Sequence, residues 1–241
     1  MRTSTFATAA LLASCVVSCS ESSSSPPANK GEYFVYVGTD TRSNISKGVY
    51  GFRFNTSTGT LTSLGLMAET PSPRFMAAHP NGRFLYTANE REYNDAKGNE
   101  VMGNKVSTFS IDPQSGRLTL LKRTAAAGDR PAHVVVDPTG KALIVSNYRG
   151  GNVAVLPIQT DGTLGDATSV DQHSGHGANT ERQEGPHAHG SAISPDNRYA
   201  LVGEHGIDQV MIYRFDAAKG TLRVTRLGMW RSIQTAKPPM S

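Results

Sequence analysis

Five of the chain's seven histidines, His173, His176, His187, His189 and His205, fall in one short stretch, with Arg182, Glu184 and Glu204 among them. Near neutral pH an imidazole can take a proton from water and hand it back. A guanidinium beside it can hold a developing oxyanion or an anionic substituent. Together these side chains suit hydrolysis of an ester-like carbonyl, with a His or Glu activating water and Arg182 countering charge. In an extended strand, His187-Ala188-His189 puts both imidazoles on one face, because strand side chains alternate. Two other readings use the same residues. They could be polar residues of an exposed loop, or His187 and His189 with Glu204 or His205 could hold a divalent ion. A His-x-His pair without a firm third ligand is thin support for a metal, and neither a metal nor another cofactor is expected. Ser191 lies near the histidines, but the chain has no Gly-x-Ser-x-Gly elbow and no cysteine beyond Cys19, which argues against a covalent nucleophile.

The elements that must position these groups are announced by a recurring turn. Its copies are His79-Pro80-Asn81-Gly82-Arg83, Asp137-Pro138-Thr139-Gly140-Lys141 and Ser194-Pro195-Asp196-Asn197-Arg198. Their prolines lie 58 (80 to 138) and 57 (138 to 195) residues apart. Pro presets φ and Gly or Asn tolerates positive φ, so each copy reads as a tight hairpin between short apolar runs. A second set of turns ends in Gly59, Gly116, Gly162 and Gly220, each followed by Thr or Arg and then Leu. Anchored on both sets, four antiparallel strands can be placed per repeat. They are 75–78, 84–88, 106–111 and 118–121, then 133–137, 142–146, 152–158 and 164–170, then 191–193, 200–202, 210–215 and 222–225. A partial unit precedes them at 34–37, 49–54 and 61–64. Four-stranded antiparallel repeats of this period predict an all-β propeller.

The repeats amount to about three and a half to four blades. A ring closes with about four to eight, and an open fan exposes strand edges that invite self-association. The expectation is therefore a larger ring of which the chain holds part. Residues 32–227 would form the partial propeller, and 228–241 a tail without the repeat. Within a blade, the residue nine after each anchoring proline shares a rim with the entry into the first strand. That rule gathers Asn89, Asn147 and Glu204 with Arg74, His133, His187 and His189 around the mouth of a central channel. The alternative is that the Asn and His residues only cap turns.

Composition narrows the partners. With 24 basic and 20 acidic residues the formal charge is +4, and the charges are scattered without basic runs or interleaved aromatics. Nucleic-acid binding is not expected. Residues 1–19 read as a secretory leader: Arg2, then a small apolar stretch too short to span a bilayer as a helix. Val16-Val17-Ser18-Cys19 has the form of a lipobox, so Cys19 is the candidate lipidation site, with Cys15 one step upstream as the other option. A Ser/Pro-rich tether, 20–31, follows. Both cysteines lie in the leader, so the body has no disulfide framework. An exported protein, periplasmic or membrane-anchored through its N-terminal lipid, is expected.

From about Tyr33 to Leu227 the chain resembles the lactonase family of seven-bladed β-propellers, which includes 6-phosphogluconolactonases and carboxy-cis,cis-muconate cyclases. The resemblance rests mainly on Asn179-Thr180-Glu181-Arg182-Gln183-Glu184-Gly185-Pro186-His187-Ala188-His189, followed by Ser194-Pro195-Asp196-Asn197-Arg198. Tyr36-Val37-Gly38-Thr39 and Tyr213-Arg214-Phe215-Asp216 are also typical. The resemblance implies hydrolysis of a sugar lactone without an obligatory metal. It maps the family's site residues onto His187 or His189 as general base, Glu204 orienting that base or the water, and Arg182 on the carbonyl or an anionic group. His133, Asn147, Arg74, Asn89 and His205 are the expected substrate contacts. A non-catalytic binding propeller at the cell envelope is the reading from another class. A muconate cyclase-like reaction, in which arginines clamp carboxylates, is the third.

Overall fold

A computed structural model of the protein describes residues 31–41, 45–89, 93–94, 100–101 and 103–231. The leader with Cys15 and Cys19, nearly all of the tether, and residues 232–241 of the tail lie outside the described residues. Four sheets radiate from one axis. Blade 1 holds β1 (Glu32–Gly38), β2 (Gly48–Asn55) and β3 (Thr60–Glu69). Blade 2 begins with β4 (Pro73–Ala78) and β5 (Phe84–Asn89). A short hairpin of β6 (Tyr93–Asn94) and β7 (Glu100–Val101) follows, then β8 (Lys105–Ile111) and β9 (Leu118–Ala125) complete the blade. Blade 3 is β10 (Pro131–Val136), β11 (Ala142–Asn147), β12 (Asn152–Pro157) and β13 (Ser169–Gln172). Blade 4 is β14 (Ala188–Ile193), β15 (Tyr199–Glu204), β16 (Gln209–Asp216) and β17 (Thr221–Arg231). Neighbouring strands are antiparallel throughout. The first strands β1, β4, β10 and β14 lie next to one another in turn, which makes them the inner wall of a propeller.

The turn chemistry does what the sequence predicts. Gly82, Gly140 and Asn197 each donate their N–H to the carbonyl three residues back, at 2.9, 2.9 and 2.8 Å. Each has positive φ, Asn197 at 57°, a conformation that Gly and Asn adopt at least cost.

Blades are held together by alternating side chains. On β11, Leu143 and Val145 pack towards Tyr86 and Val106 of blade 2. Ala142 and Ile144 of the same strand pack towards Val202, Met211 and Tyr213 of blade 4. A strand buried on both faces reads as a continuous apolar run, and all six residues of β11 are buried. Polar ties cross the same gaps: Tyr36 donates to the Gly116 carbonyl at 2.7 Å, and Tyr86 to the Gly162 carbonyl at 2.9 Å.

Two elements differ from expectation. The outer strand of blade 3 starts at Ser169, not 164, and Leu164 forms only a single bridge to Ile158. Its side chain is drawn into the core between blades 2 and 3, and its carbonyl accepts from Lys122 and Thr124 of β9. The outer strand of blade 4, expected over 222–225, runs from Thr221 to Arg231, paired with β16 as far as Gln209. Among the described residues nothing covers the outward face of blade 4, where Leu201 is 37% exposed.

Candidate active site

One register defect recurs at the start of every inner strand in blades 2, 3 and 4. Pro73 faces Asn89 and Phe75 faces Ala88, which leaves Arg74 as an extra residue. Ala132 is extra between the Pro131–Asn147 and His133–Ser146 pairs, and His189 between Ala188–Glu204 and Gly190–Gly203. A β-bulge bends its strand and re-aims the extra side chain. All three extra residues line a single cavity of about 380 Å³ at the rim, together with Arg130, Tyr148, Arg182 and His205.

The remaining walls come from loops anchored to the blades. Asn104 accepts the Arg130 N–H through its side-chain oxygen at 2.8 Å, and the Arg130 carbonyl accepts the Tyr148 N–H at 2.9 Å. The Arg130 guanidinium lies 5.3 Å from the centre of the Tyr148 ring, within cation–π range. Arg182 sits on the 173–187 loop, which buried Gln183 pins down. The Gln183 amide donates to the His205 carbonyl at 2.8 Å and to Asp208 at 2.7 Å. Arg74 lies 3.5 Å from the Asp40 carboxylate and keeps 41% of its side chain exposed.

His133 sits half-buried beneath His189. Its ring lies against Phe75, with centroids 3.9 Å apart and planes tilted by 41°, and its Nδ1 accepts the Ser191 N–H at 3.3 Å. Burial, and secondarily the nearby His189, push its pKa down to about 4. His133 is therefore neutral near pH 7, with Nδ1 as acceptor and the proton on Nε2. His205 also faces the cavity, and its Nε2 is buried with no hydrogen-bond partner among the described residues.

The structure thus brings together Arg74, Arg182, His189 and His205, with His133 close behind. It keeps four other expected residues away. His187 does not share a face with His189, because the bulge at His189 breaks the alternation. Its ring is stacked on Tyr148, Nδ1 donates to the Tyr148 carbonyl at 3.0 Å, and Nε2 lies 3.3 Å from Glu184. Glu204, expected at the channel mouth, has a fully buried carboxylate bonded to His173 Nδ1 and to the N–H groups of His187 and Gly206. Asn89 is buried and donates to Thr70 and to the Pro71 carbonyl while accepting from Ser107. Asn147 is buried and donates to the Ala126 carbonyl. Neither asparagine lines the rim cavity. Among the described residues no three His, Cys, Asp or Glu side chains converge as metal ligands.

Arg130 and Tyr148 were not foreseen. Tyr148 lies one residue past Asn147, and Arg130 lies three residues before His133, so both fall outside the positions that the turn spacing selects. Extending the rim by one residue past each second strand would have found Tyr148; Arg130 adjoins β10 only because that strand starts at Pro131, two residues before the expected 133.

Residues 34–235 match the family described as Lactonase, 7-bladed beta-propeller. The chain is 34% identical over 183 residues to the 6-phosphogluconolactonase of Bacillus subtilis, covering 76% of this chain and 49% of the relative. It is 28% identical to that of Formosa agariphila, covering 72% and 47%. The solved periplasmic gluconolactonase of Pseudomonas aeruginosa superposes with a TM-score of 0.72 at 28% identity, covering 83% of this chain and 55% of that one. The chain spans about half the length of these relatives. With matching turns, blades and a matched span covering most of its length, the chain belongs to the lactonase family of seven-bladed β-propellers.

Proposed function

We propose that the protein opens a sugar lactone by attack of water, and that the rim cavity is where it does so. The observation that carries this reading is the convergence of three guanidiniums, Arg74, Arg130 and Arg182, with the imidazoles of His189 and His205 on one cavity. In this mechanism His189 takes a proton from water as its oxygen attacks the lactone carbonyl. A guanidinium holds the oxyanion that forms. When the tetrahedral intermediate collapses, the ring C–O bond breaks and the imidazolium returns the proton to the leaving ring oxygen. The product is the open hydroxy acid. The other guanidiniums suit an anionic substituent on the sugar. The names of the Bacillus and Formosa relatives support a phosphorylated lactone; that of the Pseudomonas protein supports the unphosphorylated form.

The test is acid production from glucono-1,5-lactone and from its 6-phosphate, by the full chain and by Arg182→Gln. Turnover above the spontaneous rate is expected, with Arg182→Gln losing most on the phosphorylated substrate. Spontaneous rates throughout would overturn the hydrolase reading, and cyclisation of an unsaturated dicarboxylate instead would favour the cyclase. The leader and Cys19 support a further part of the proposal, that the protein acts outside the cytoplasm on an N-terminal lipid anchor. Retention of a Cys19→Ala variant in the detergent phase would contradict it.

A further inference from the structure

Beneath the rim cavity, a line of four buried or half-buried side chains crosses blade 4 towards the outer end of blade 3. Asp171 Oδ2 accepts the Tyr213 hydroxyl at 2.7 Å. The Tyr213 oxygen lies 2.8 Å from His173 Nε2, and His173 Nδ1 meets Glu204 Oε2. The side chains of His173 and Glu204 are both wholly buried. Glu204 Oε1 accepts two backbone N–H groups, from His187 and from Gly206.

The donors can be counted. A phenol has one proton, and Tyr213 gives it to Asp171, so towards His173 its oxygen can only accept. His173 therefore carries a proton on Nε2. Glu204 Oε1 is occupied by its two N–H groups, which leaves Oε2 facing Nδ1. Without a proton between them, two lone pairs would confront each other away from water, at the full cost of an unmade buried hydrogen bond. The pair accordingly holds one shared proton and is neutral as a unit. The Tyr213 hydroxyl is kept protonated in turn: burial first, then its bond to Asp171 and the charges of Asp171 and Glu204, raise its pKa well above the ordinary value.

The consequence lies at Oε1. His187 is two residues from His189, and Gly206 directly follows His205. One carboxylate oxygen thus ties together the two segments that carry the cavity's imidazoles, and the His205 N–H to the His187 carbonyl, at 3.0 Å, closes the same junction. We infer that Glu204 is a positioning residue that sets the spacing of His189 and His205, held in place by His173, Tyr213 and Asp171, and that it does not act on substrate.

The inference rests on the rim cavity being the reaction site, so its test has an arm independent of turnover. Glutamine at 204 can keep the oxygen that binds both N–H groups while its amide donates to His173 Nδ1; alanine can do neither. The full chain, 15N-labelled at histidine, is compared by NMR with Glu204→Gln and Glu204→Ala. In Glu204→Gln, the His173 Nδ1 signal should become that of an unprotonated acceptor while the ring signals of His189 and His205 stay in place. Lactone turnover should stay within about tenfold of wild type, well short of the roughly 100-fold or greater loss that follows removal of a general base. In Glu204→Ala the His189 and His205 signals should move. A loss of about 100-fold or more in Glu204→Gln with those signals unmoved would make Glu204 a reacting group and overturn the inference. Unmoved signals in Glu204→Ala would overturn it as well. If Glu204→Ala does not fold, the glutamine variant decides alone. If wild type opens no lactone, the hydrolase reading fails, and the imidazole signals still decide this one.

Discussion

The imidazole of His187 lies flat against the ring of Tyr148, with centroids 4.5 Å apart and planes 5° from parallel. His189 meets the same Tyr148 ring edge-on, at 5.6 Å and 80°. His187 is thus packed flat on Tyr148 and does not line the cavity, whereas His189 does. The distinction decides which imidazole can reach water and substrate.

Replacing His189 with alanine should lower kcat for lactone opening by about 10²–10⁴, the usual contribution of a positioned base. His187→Phe preserves the stack on Tyr148 and should cost under about tenfold, since its ring does not face the cavity. Steady-state kinetics on both variants checks this, and a larger loss in His187→Phe than in His189→Ala would reverse the assignment.

His133 should remain neutral through the working range of the site. Its pKa is pushed down to about 4, by burial and then by His189. Its ring carbon resonances should hold still between pH 8 and pH 5 and move only near pH 4. A midpoint near the ordinary value of about 6.5 would show that the ring is solvated and that the packing against Phe75 has been misjudged.

The Asp137 turn should give the fold an acid-sensitive tie. Burial of this carboxyl pushes its pKa upward. The Thr139 hydroxyl, the N–H groups of Ala142 and Thr139 and the Asn197 amide outweigh that, holding it below the usual carboxylate range. Because the folded pKa is depressed, the stabilisation is complete above the unfolded value of about 4 and fades as pH falls through the lower folded one. The Asn197 bond, 2.9 Å long, also joins blades 3 and 4. Asp137→Asn should therefore cost stability in urea unfolding at pH 7, and the gap to wild type should narrow at pH 3. An equal gap at both pH values would contradict this linkage.

Tyr86 should contribute through its hydroxyl as well as its ring. It is wholly buried and donates to the Gly162 carbonyl across the gap between blades 2 and 3. Tyr86→Phe leaves that carbonyl unpaired and should cost about 1–2 kcal/mol in denaturant unfolding. A neutral result would mean that water reaches Gly162.

Blade number, strand order and turn type were legible in the chain because each is written locally. Pro80, Pro138 and Pro195 set φ where they stand, and Gly82, Gly140 and Asn197 take the positive φ that closes each hairpin. The continuous apolar runs of β11 and β12 announce burial on two faces by themselves. The membership of the site was legible in part: Arg74, His189 and His205 lie where the strand ends place them, and Arg182 stands in the histidine-rich stretch that forms the loop before β14. What the chain could not reveal was register. One extra residue in β14 sends His189 towards the cavity and leaves His187 stacked on Tyr148 outside it, and whether a strand bulges depends on its partner, not on its own residues. Likewise Glu204 reads as a rim carboxylate in sequence. Only the packing of blade 4 on blade 3 brings it against His173, 31 residues earlier, and buries it there.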